Sequence, residues 1–170
     1  MIYLVHANIY DLEFNKRVWD FKKRHIESIK RENRITTLPL HITLMRGEFD
    51  DNEDILTREL SSIGFKPFEI RLGKLRLFEE NSLVSLVLSD KITNLHRRVL
   101  DRLKRYEIPN SSSYKGKYTP HMTLFKITNT SYFEEMDRNS FSGNSLRINE
   151  FRLSKKEDYW RRINSFPIKD

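Results

Sequence analysis

The sequence contains no cysteine among its 170 residues. This absence excludes disulfide bonds, thiolate nucleophiles and zinc sites built from Cys ligands. The chain also lacks any apolar run near the roughly 18 residues that a membrane-spanning helix needs. Its first residues show neither the basic lead nor the long apolar segment of a secretory signal. We therefore expect a cytoplasmic protein that does not associate with a membrane.

The composition is typical of one globular domain with an excess of positive charge. Apolar residues make up 38% of the chain and charged residues 32%, and the length is sufficient for a single domain with its own core. The formal net charge is +7 and the sequence pI is about 9.6. Such a charge favours a polyanionic partner, most often nucleic acid, although it is equally compatible with solubility alone.

Two short segments share one pattern, in which a His is followed two residues later by a Thr inside an apolar run. The first copy is His41 and Thr43, and the second is His121 and Thr123, 80 residues further on. Because alternate residues of a β-strand point to the same face, each copy places an imidazole beside a hydroxyl. The two copies together predict a pocket with two imidazoles and two hydroxyls.

The repetition extends beyond these motifs. At an offset of 80, the apolar residues 3–5 fall on 83–85, and at an offset of 81, residues 69–72 fall on 150–153. Four landmarks in the same order at nearly one offset indicate a duplicated unit, about 1–80 and 81–170. We expect one two-lobed domain, residues 1–170, with pseudo-twofold symmetry.

Apolar periodicity predicts alternating strands and helices. The predicted strands cover about 2–9, 40–46, 68–78 with an interruption at Gly73, 83–88, 121–127, 146–153 and 159–168. Two long helices are predicted over about 15–32 and over 90–106, the second with Asp90 as its cap. A short helix is predicted between a cap at Asp51 or Asn52 and an end at Gly64, and another over 132–136. Residues 108–118 read as a loop.

Paired imidazoles suit the cleavage of a phosphodiester. One takes a proton from the attacking oxygen and the other gives a proton to the leaving oxygen, while the Thr hydroxyls donate to the non-bridging oxygens. This scheme requires neither a metal nor another cofactor. The alternatives are two core histidines or a metal site, and the lack of a third ligand at suitable spacing argues against the metal.

The other basic residues receive weaker interpretations. His6 on the first strand could approach the pocket, His25 is explained by core packing, and His96 is predicted to face solvent. Arg46 and Lys126 are a further pair 80 residues apart, and strict strand alternation places both on the face opposite the motifs, outside the pocket.

The matched motifs, with residues 65–70, 95–96, 120–124 and 160–168, resemble the two-histidine (2H) phosphoesterase superfamily. Within it the chain is most similar to the bacterial and archaeal RNA 2′,3′-cyclic phosphodiesterases, also described as 2′-5′ RNA ligases. The resemblance implies an α+β fold with two lobes of mostly antiparallel strands, a central cleft and helices outside. It also implies metal-independent hydrolysis of RNA 2′,3′-cyclic phosphate ends to 2′-phosphates, with His41, Thr43, His121 and Thr123 as the catalytic residues.

The expected partners are RNA ends, short oligonucleotides or cyclic nucleotides, bound by a monomer. The candidate substrate-binding residues are Tyr114, Lys115, Lys117, Tyr118 and Trp160. An ordinary surface loop, and for Trp160 a core position, are the alternatives; the family usually has a Tyr there. Acidic residues at 48, 50, 51, 53 and 54 beside the first motif favour a short substrate over a long RNA.

Two other functions stay open at this point. One is a phosphodiesterase for 2′-5′ oligoadenylates or cyclic oligonucleotide signals, and the other is a non-catalytic RNA-binding module of the same fold.

Overall fold

The computed structural model describes residues 1–34, 40–50, 52–108, 118–157 and 160–167. Within these residues the chain forms eight strands and five α-helices. The strands are β1 (Ile2–Asn8), β2 (His41–Glu48), β3 (Phe68–Phe78), β4 (Ser82–Leu88), β5 (His121–Lys126), β6 (Ser145–Ile148), β7 (Glu150–Lys156) and β8 (Trp160–Pro167). The helices are α1 (Leu12–Arg24), α2 (Arg31–Arg34), α3 (Glu53–Ser61), α4 (Asp90–Leu103) and α5 (Ser131–Glu134).

All eight strands join one sheet in the order β6-β3-β4-β5-β2-β1-β7-β8, and every neighbouring pair is antiparallel. The order is symmetric about the β5–β2 junction, since β4 and β1 flank it and β3 and β7 come next. Each side of the sheet thus takes strands from both halves of the chain. The predicted α+β fold with mostly antiparallel strands is confirmed, while the duplication remains a prediction.

Helices form because capped, amphipathic segments bury one stripe against the sheet. The Asp11 side chain accepts from the Phe14 N–H at 2.7 Å to begin α1, and Asn52 accepts from the Ile55 N–H to begin α3. The buried stripe of α1 packs on the sheet, where Phe21 lies 6.2 Å from Phe125 between ring centroids. The buried stripe of α4 consists of Ile92, Leu95, His96, Val99 and Leu103.

Several predicted boundaries differ from the structure. The predicted helix 15–32 is wrong in its second half, because His25 leaves the helical conformation (φ −113°, ψ 24°) and ends α1. The following chain instead brings the fully buried Ile29 to a β-bridge with Ile127. Asp90 is the first residue of α4 and Ser89 occupies the cap position. The predicted strand 146–153 divides at Asn149 into β6 and β7, which pair with β3 and β1.

Two predicted features cannot be compared with the fold. Asp51 and residues 109–117 of the predicted loop lie outside the described residues. Across the described part of the chain, every helix is too short or too polar to cross a membrane.

Candidate active site

The two His-x-Thr motifs meet at the centre of the sheet. β2 and β5 run antiparallel, with Ile42 directly opposite Met122. Both of these central residues are fully buried, so they point into the core. The four flanking side chains point to the opposite face, where the antiparallel register sets His41 beside Thr123 and Thr43 beside His121. The structure therefore brings all four predicted catalytic residues together on one face.

A β-bulge follows each motif at the equivalent position. Against β1, Met45 pairs with Val5 and Thr43 with His6, so Leu44 is the additional residue in β2. Against β4, the partners likewise skip from Thr123 to Phe125 and leave Leu124 as the additional residue in β5. A bulge of one residue reverses the alternation of faces beyond it.

The bulges overturn the predicted placement of the basic pair. Arg46 and Lys126 come after the additional residues and therefore share the face of the motifs. Both line a groove of about 760 Å³ that also contains His121 and Thr123. The remaining lining residues are Leu77, Phe78, Glu79, Glu80, Ser82 and Val84. The prediction that the two cations lie outside the pocket is wrong, because strict alternation does not allow for a bulge.

Glu79 and Glu80 both line this groove, and the carboxylate of Glu80 is paired with a cation. Glu80 lies in the turn between β3 and β4, where this residue and Asn81 adopt left-handed φ angles of 56° and 58°. Its carboxylate accepts from the Lys126 ammonium group. This hydrogen bond and the charge of Lys126, with smaller effects of Lys30 and Arg46, lower the pKa of Glu80. The cations of the groove thus stabilise a negative charge at Glu80, as they would stabilise a phosphate.

His121 is held in a defined orientation. Its Nδ1–H donates to the Thr119 carbonyl oxygen at 2.8 Å, which leaves Nε2 as the accepting atom of the neutral ring. The ring of Phe78 lies against it at 4.6 Å between centroids. A neutral imidazole with Nε2 available has the form that a general base needs.

His6 lies directly beside His41, at 5.1 Å between ring centroids and with an interplanar angle of 66°. Burial, followed by the charge of His41, lowers the pKa of His6 to about 4, with a smaller contribution from Arg152 and an opposing hydrogen bond from Asn8. His6 is therefore neutral at physiological pH. The suggestion that His6 approaches the motif residues agrees with this geometry, but its polar partners could not be anticipated from the sequence.

The bulge in β2 is held from outside the strand by two aromatic rings. His96 Nδ1–H donates to the Leu44 carbonyl oxygen at 2.5 Å, and the Tyr118 hydroxyl donates to the Thr43 carbonyl oxygen at 2.9 Å. The two rings stack at 3.7 Å between centroids. The prediction that His96 faces solvent is wrong, because α4 turns it towards β2 with 7% of its surface exposed. These contacts give Tyr118 a role in supporting the first motif.

The other candidate binding residues are less informative. Tyr114, Lys115 and Lys117 lie outside the described residues, and Trp160 is placed only as the first residue of β8. The acidic link begins at Glu48, at the opposite end of β2 from His41 and about 23 Å away along the strand. Glu48 is therefore distant from His41, and the electrostatic argument for a short substrate is weaker than expected.

A metal centre would need several ligating side chains close together. Among the residues that the structure describes, there is no group of three or more His, Cys, Asp or Glu residues that could hold a metal ion.

The comparisons with known proteins show the family and the fold of the chain. The model of the 2'-5' RNA ligase superfamily matches residues 15–135, which is more than half of the chain. The chain therefore belongs to the 2'-5' RNA ligase superfamily, whose members are 2H phosphoesterases. No curated protein matches the sequence.

Solved structures share the fold at low sequence identity. The Thermus thermophilus protein TT0787 superimposes with a TM-score of 0.71 and 14% identity, covering 99% of this chain and 98% of that chain. The apo form of E. coli LigT superimposes with a TM-score of 0.71 and 13% identity, covering 99% of this chain and 98% of that chain. Kluyveromyces marxianus Usb1 superimposes with a TM-score of 0.59 and 15% identity, covering 98% of this chain and 97% of that chain. At these identities the structures establish the fold.

Proposed function

We propose that this chain is a metal-independent phosphodiesterase that hydrolyses RNA 2′,3′-cyclic phosphate ends to 2′-phosphates. The observation that carries the proposal is the pairing of Ile42 with Met122, which brings two imidazoles and two hydroxyls to one face. A pair of proton carriers on either side of one phosphorus atom is what hydrolysis of a phosphodiester requires.

The roles follow from the surroundings of each histidine. His121 Nε2 accepts a proton from water as the water oxygen attacks phosphorus. The bond from phosphorus to O3′ breaks, and His41 gives its proton to O3′. Thr43 and Thr123 donate hydrogen bonds to the non-bridging oxygens as their charge increases. Exchange of protons with solvent then restores a neutral His121 and a protonated His41.

The groove beside His121 supports a phosphate-bearing substrate. Arg46 and Lys126 line it, and Lys126 already binds the Glu80 carboxylate. E. coli LigT has been solved in complexes with 3'-AMP, with phosphate and with ATP. A nucleotide phosphate in the groove would replace Glu80 as the anion on Lys126.

The test is a substrate panel in the presence of EDTA, read by product mass and by the position of the phosphate. It contains an RNA with a 2′,3′-cyclic phosphate, 2′-5′ and 3′-5′ oligoadenylates and a cyclic dinucleotide. We expect the cyclic phosphate to open to a 2′-phosphate. His41→Ala and His121→Ala should each lose about 10²–10⁴-fold in kcat.

His25→Ala is the matched control, because His25 lies at the end of α1 and packs on Phe21. Cleavage confined to 2′-5′ linkages or to the cyclic dinucleotide would contradict the proposed substrate. RNA binding without any turnover would support the binding-module alternative, and loss of activity in EDTA would contradict metal independence.

A further inference from the structure

A chain of polar side chains, buried at His6, Asn8 and Ser154 and exposed at Tyr10, lies next to His41 but belongs to neither motif. It begins at His6 on β1, which is 8% exposed and contacts the His41 ring edge to face at 5.1 Å. It continues through Asn8 to Tyr10, and on the other side it reaches Ser154 on β7. A buried polar chain of this kind has to be fully hydrogen-bonded to be tolerated.

The hydrogen bonds fix the orientation of the His6 ring. Asn8 Nδ2 donates to the Tyr10 hydroxyl at 3.0 Å, so Asn8 Oδ1 is the atom that faces His6. His6 Nδ1 therefore carries a proton and donates it to Asn8 Oδ1 at 2.7 Å. His6 Nε2 is then the acceptor for the Ser154 hydroxyl at 3.0 Å. Both ring nitrogens are engaged, which leaves the ring one tautomer and one orientation.

A charged pair determines the direction of the whole chain. The Tyr10 hydroxyl donates to Glu150 Oε1 at 2.7 Å, and Arg152 Nε donates to the same oxygen at 2.6 Å. Since a carboxylate can only accept, the Tyr10 hydroxyl must point towards Glu150 and accept from Asn8. The orientation of His6 thus originates at an ion pair on the neighbouring strand.

We propose that His6 is a positioning residue for His41, whose fixed ring holds the His41 imidazole in the orientation in which it exchanges a proton with the substrate. The inference rests on the proposed function, because it assigns His41 a proton-transfer role. His6 itself has no contact with the groove at His121 and Thr123 among the described lining residues.

The same arrangement keeps His6 neutral and so allows His41 to carry the proton that the proposed function assigns to it. The groups that face His6 are His41 from β2, Arg152 and Ser154 from β7, and Asn8 on its own strand. Burial, His41 and Arg152 all disfavour a charged His6, and they lower its pKa to about 4. Two imidazolium rings in contact would repel each other, so a neutral His6 leaves the protonated form to His41.

The first test compares His6→Ala with His6→Phe on the substrate that the wild-type protein cleaves. His6→Ala removes the ring, and we expect kcat to fall about 10- to 100-fold with KM within a factor of about two. His6→Phe keeps the ring edge against His41 but removes the His6 partner of Asn8 Oδ1 and of the Ser154 hydroxyl. We expect it to be at least as destabilised as His6→Ala yet several times more active. If activity instead follows the thermal midpoint in both variants, the positioning role is wrong.

The second test acts on His6 from a distance. Ser154→Ala removes the donor to His6 Nε2, and Ser28→Ala is its matched control, because each serine is 4% exposed and makes one side-chain hydrogen bond. Ser28 bonds to the His25 carbonyl, away from His41. We expect Ser154→Ala to lower kcat severalfold with little change in KM, and Ser28→Ala to leave both constants unchanged. Equal effects of the two substitutions would overturn the proposal.

A third measurement needs no substrate and separates the two proposals. Imidazole ¹⁵N–¹H spectra of the wild-type protein should show His6 neutral, with its proton on Nδ1, from about pH 5 to pH 8, while the His41 resonances titrate. A His6 that titrates in this interval would overturn the inference even in an active enzyme. If the wild-type protein is inactive on the whole panel, the proposed function fails, and the spectra still decide whether His6 is the fixed neutral partner of His41.

Discussion

Replacement of His121 by Asn isolates its proton-transfer role from its structural one. An Asn side chain can donate to the Thr119 carbonyl oxygen, as His121 Nδ1–H does at 2.8 Å, so the strand and its register should be preserved. The variant has no titratable group at this position. We expect kcat to fall by about 10²–10⁴-fold, which corresponds to about 3 to 5 kcal/mol of activation free energy.

The assay is a pH–rate profile on the cyclic phosphate substrate. The wild-type protein should give a bell-shaped profile, because one histidine must be neutral and the other protonated. His121→Asn should lose one limb of that profile and keep KM close to the wild-type value. His25→Asn serves as the control and should retain the full bell. A His121→Asn variant with wild-type kcat, or with both limbs intact, would refute the assignment of His121.

Three further predictions concern the groove, the support of β2 and the buried histidine. Arg46→Met and Lys126→Met should each raise KM for a phosphate-bearing substrate about tenfold with little change in kcat, because each removes one cation from the groove; unchanged KM values would argue against phosphate binding there. Tyr118→Phe loses one hydrogen bond to the Thr43 carbonyl and should lower the free energy of unfolding by about 0.5–1.5 kcal/mol in a denaturant titration; a variant as stable as the wild type would show that this bond does not support β2. The pKa of His6 is about 4 in the fold and 6.5 in its unperturbed state, so between these pH values the unfolded chain binds more protons than the folded one. The contribution of His6 to the free energy of unfolding is therefore fully present above about pH 6.5 and decreases by about 3 kcal/mol as the pH falls to 4. His6→Phe should remove that part of the pH dependence in unfolding curves, and an unaltered slope would contradict it.

Much of the fold could be predicted because its signals are local in the sequence. Alternating apolar residues identify the strands, and the paired His-x-Thr segments locate the face on which the chemistry would occur. The positions of β2 and β5 follow from such patterns, whereas the antiparallel character of the sheet was implied by the family resemblance. The order of the strands in the sheet could not be predicted from these patterns. In the sequence β6 and β7 resemble one continuous strand, and only their pairing with β3 and β1 shows that they are separate strands divided at Asn149.

The site could be predicted only where strict alternation holds. The only sign of the first bulge in the sequence is that Leu44 and Met45, two consecutive residues, are both apolar and buried. Two consecutive apolar residues also occur in a regular strand that is buried on both faces, so they do not identify a bulge. Without the bulges, Arg46 and Lys126 fall on the wrong face. The recurrence of both cations 80 residues apart was the available signal that they line the same groove.

The remaining differences between the predicted and the observed site arise from contacts between residues that are distant in the sequence. His96 stands beside two arginines, which suggests an exposed position, but its ring is fixed by a carbonyl 52 residues earlier. The partner of His6 on β7 is 148 residues away. In a single sequence, nothing in the spacing of these residues indicates that they meet.

The exchange of strands between the two sides of the sheet has a consequence for biosynthesis. β1 pairs with β2 on one edge and with β7 on the other, so its second edge stays open until residues 150–156 have left the ribosome. Ser154, which orients His6, arrives with that same late strand. The first motif is therefore made early in translation, but the β7 residues around it are added late. Because pairing at such a sequence separation is slow, its surroundings are completed near the end of folding. A truncated or stalled chain would carry His6 beside His41 without its Ser154 partner, and would expose the edge of β1 to association with other chains.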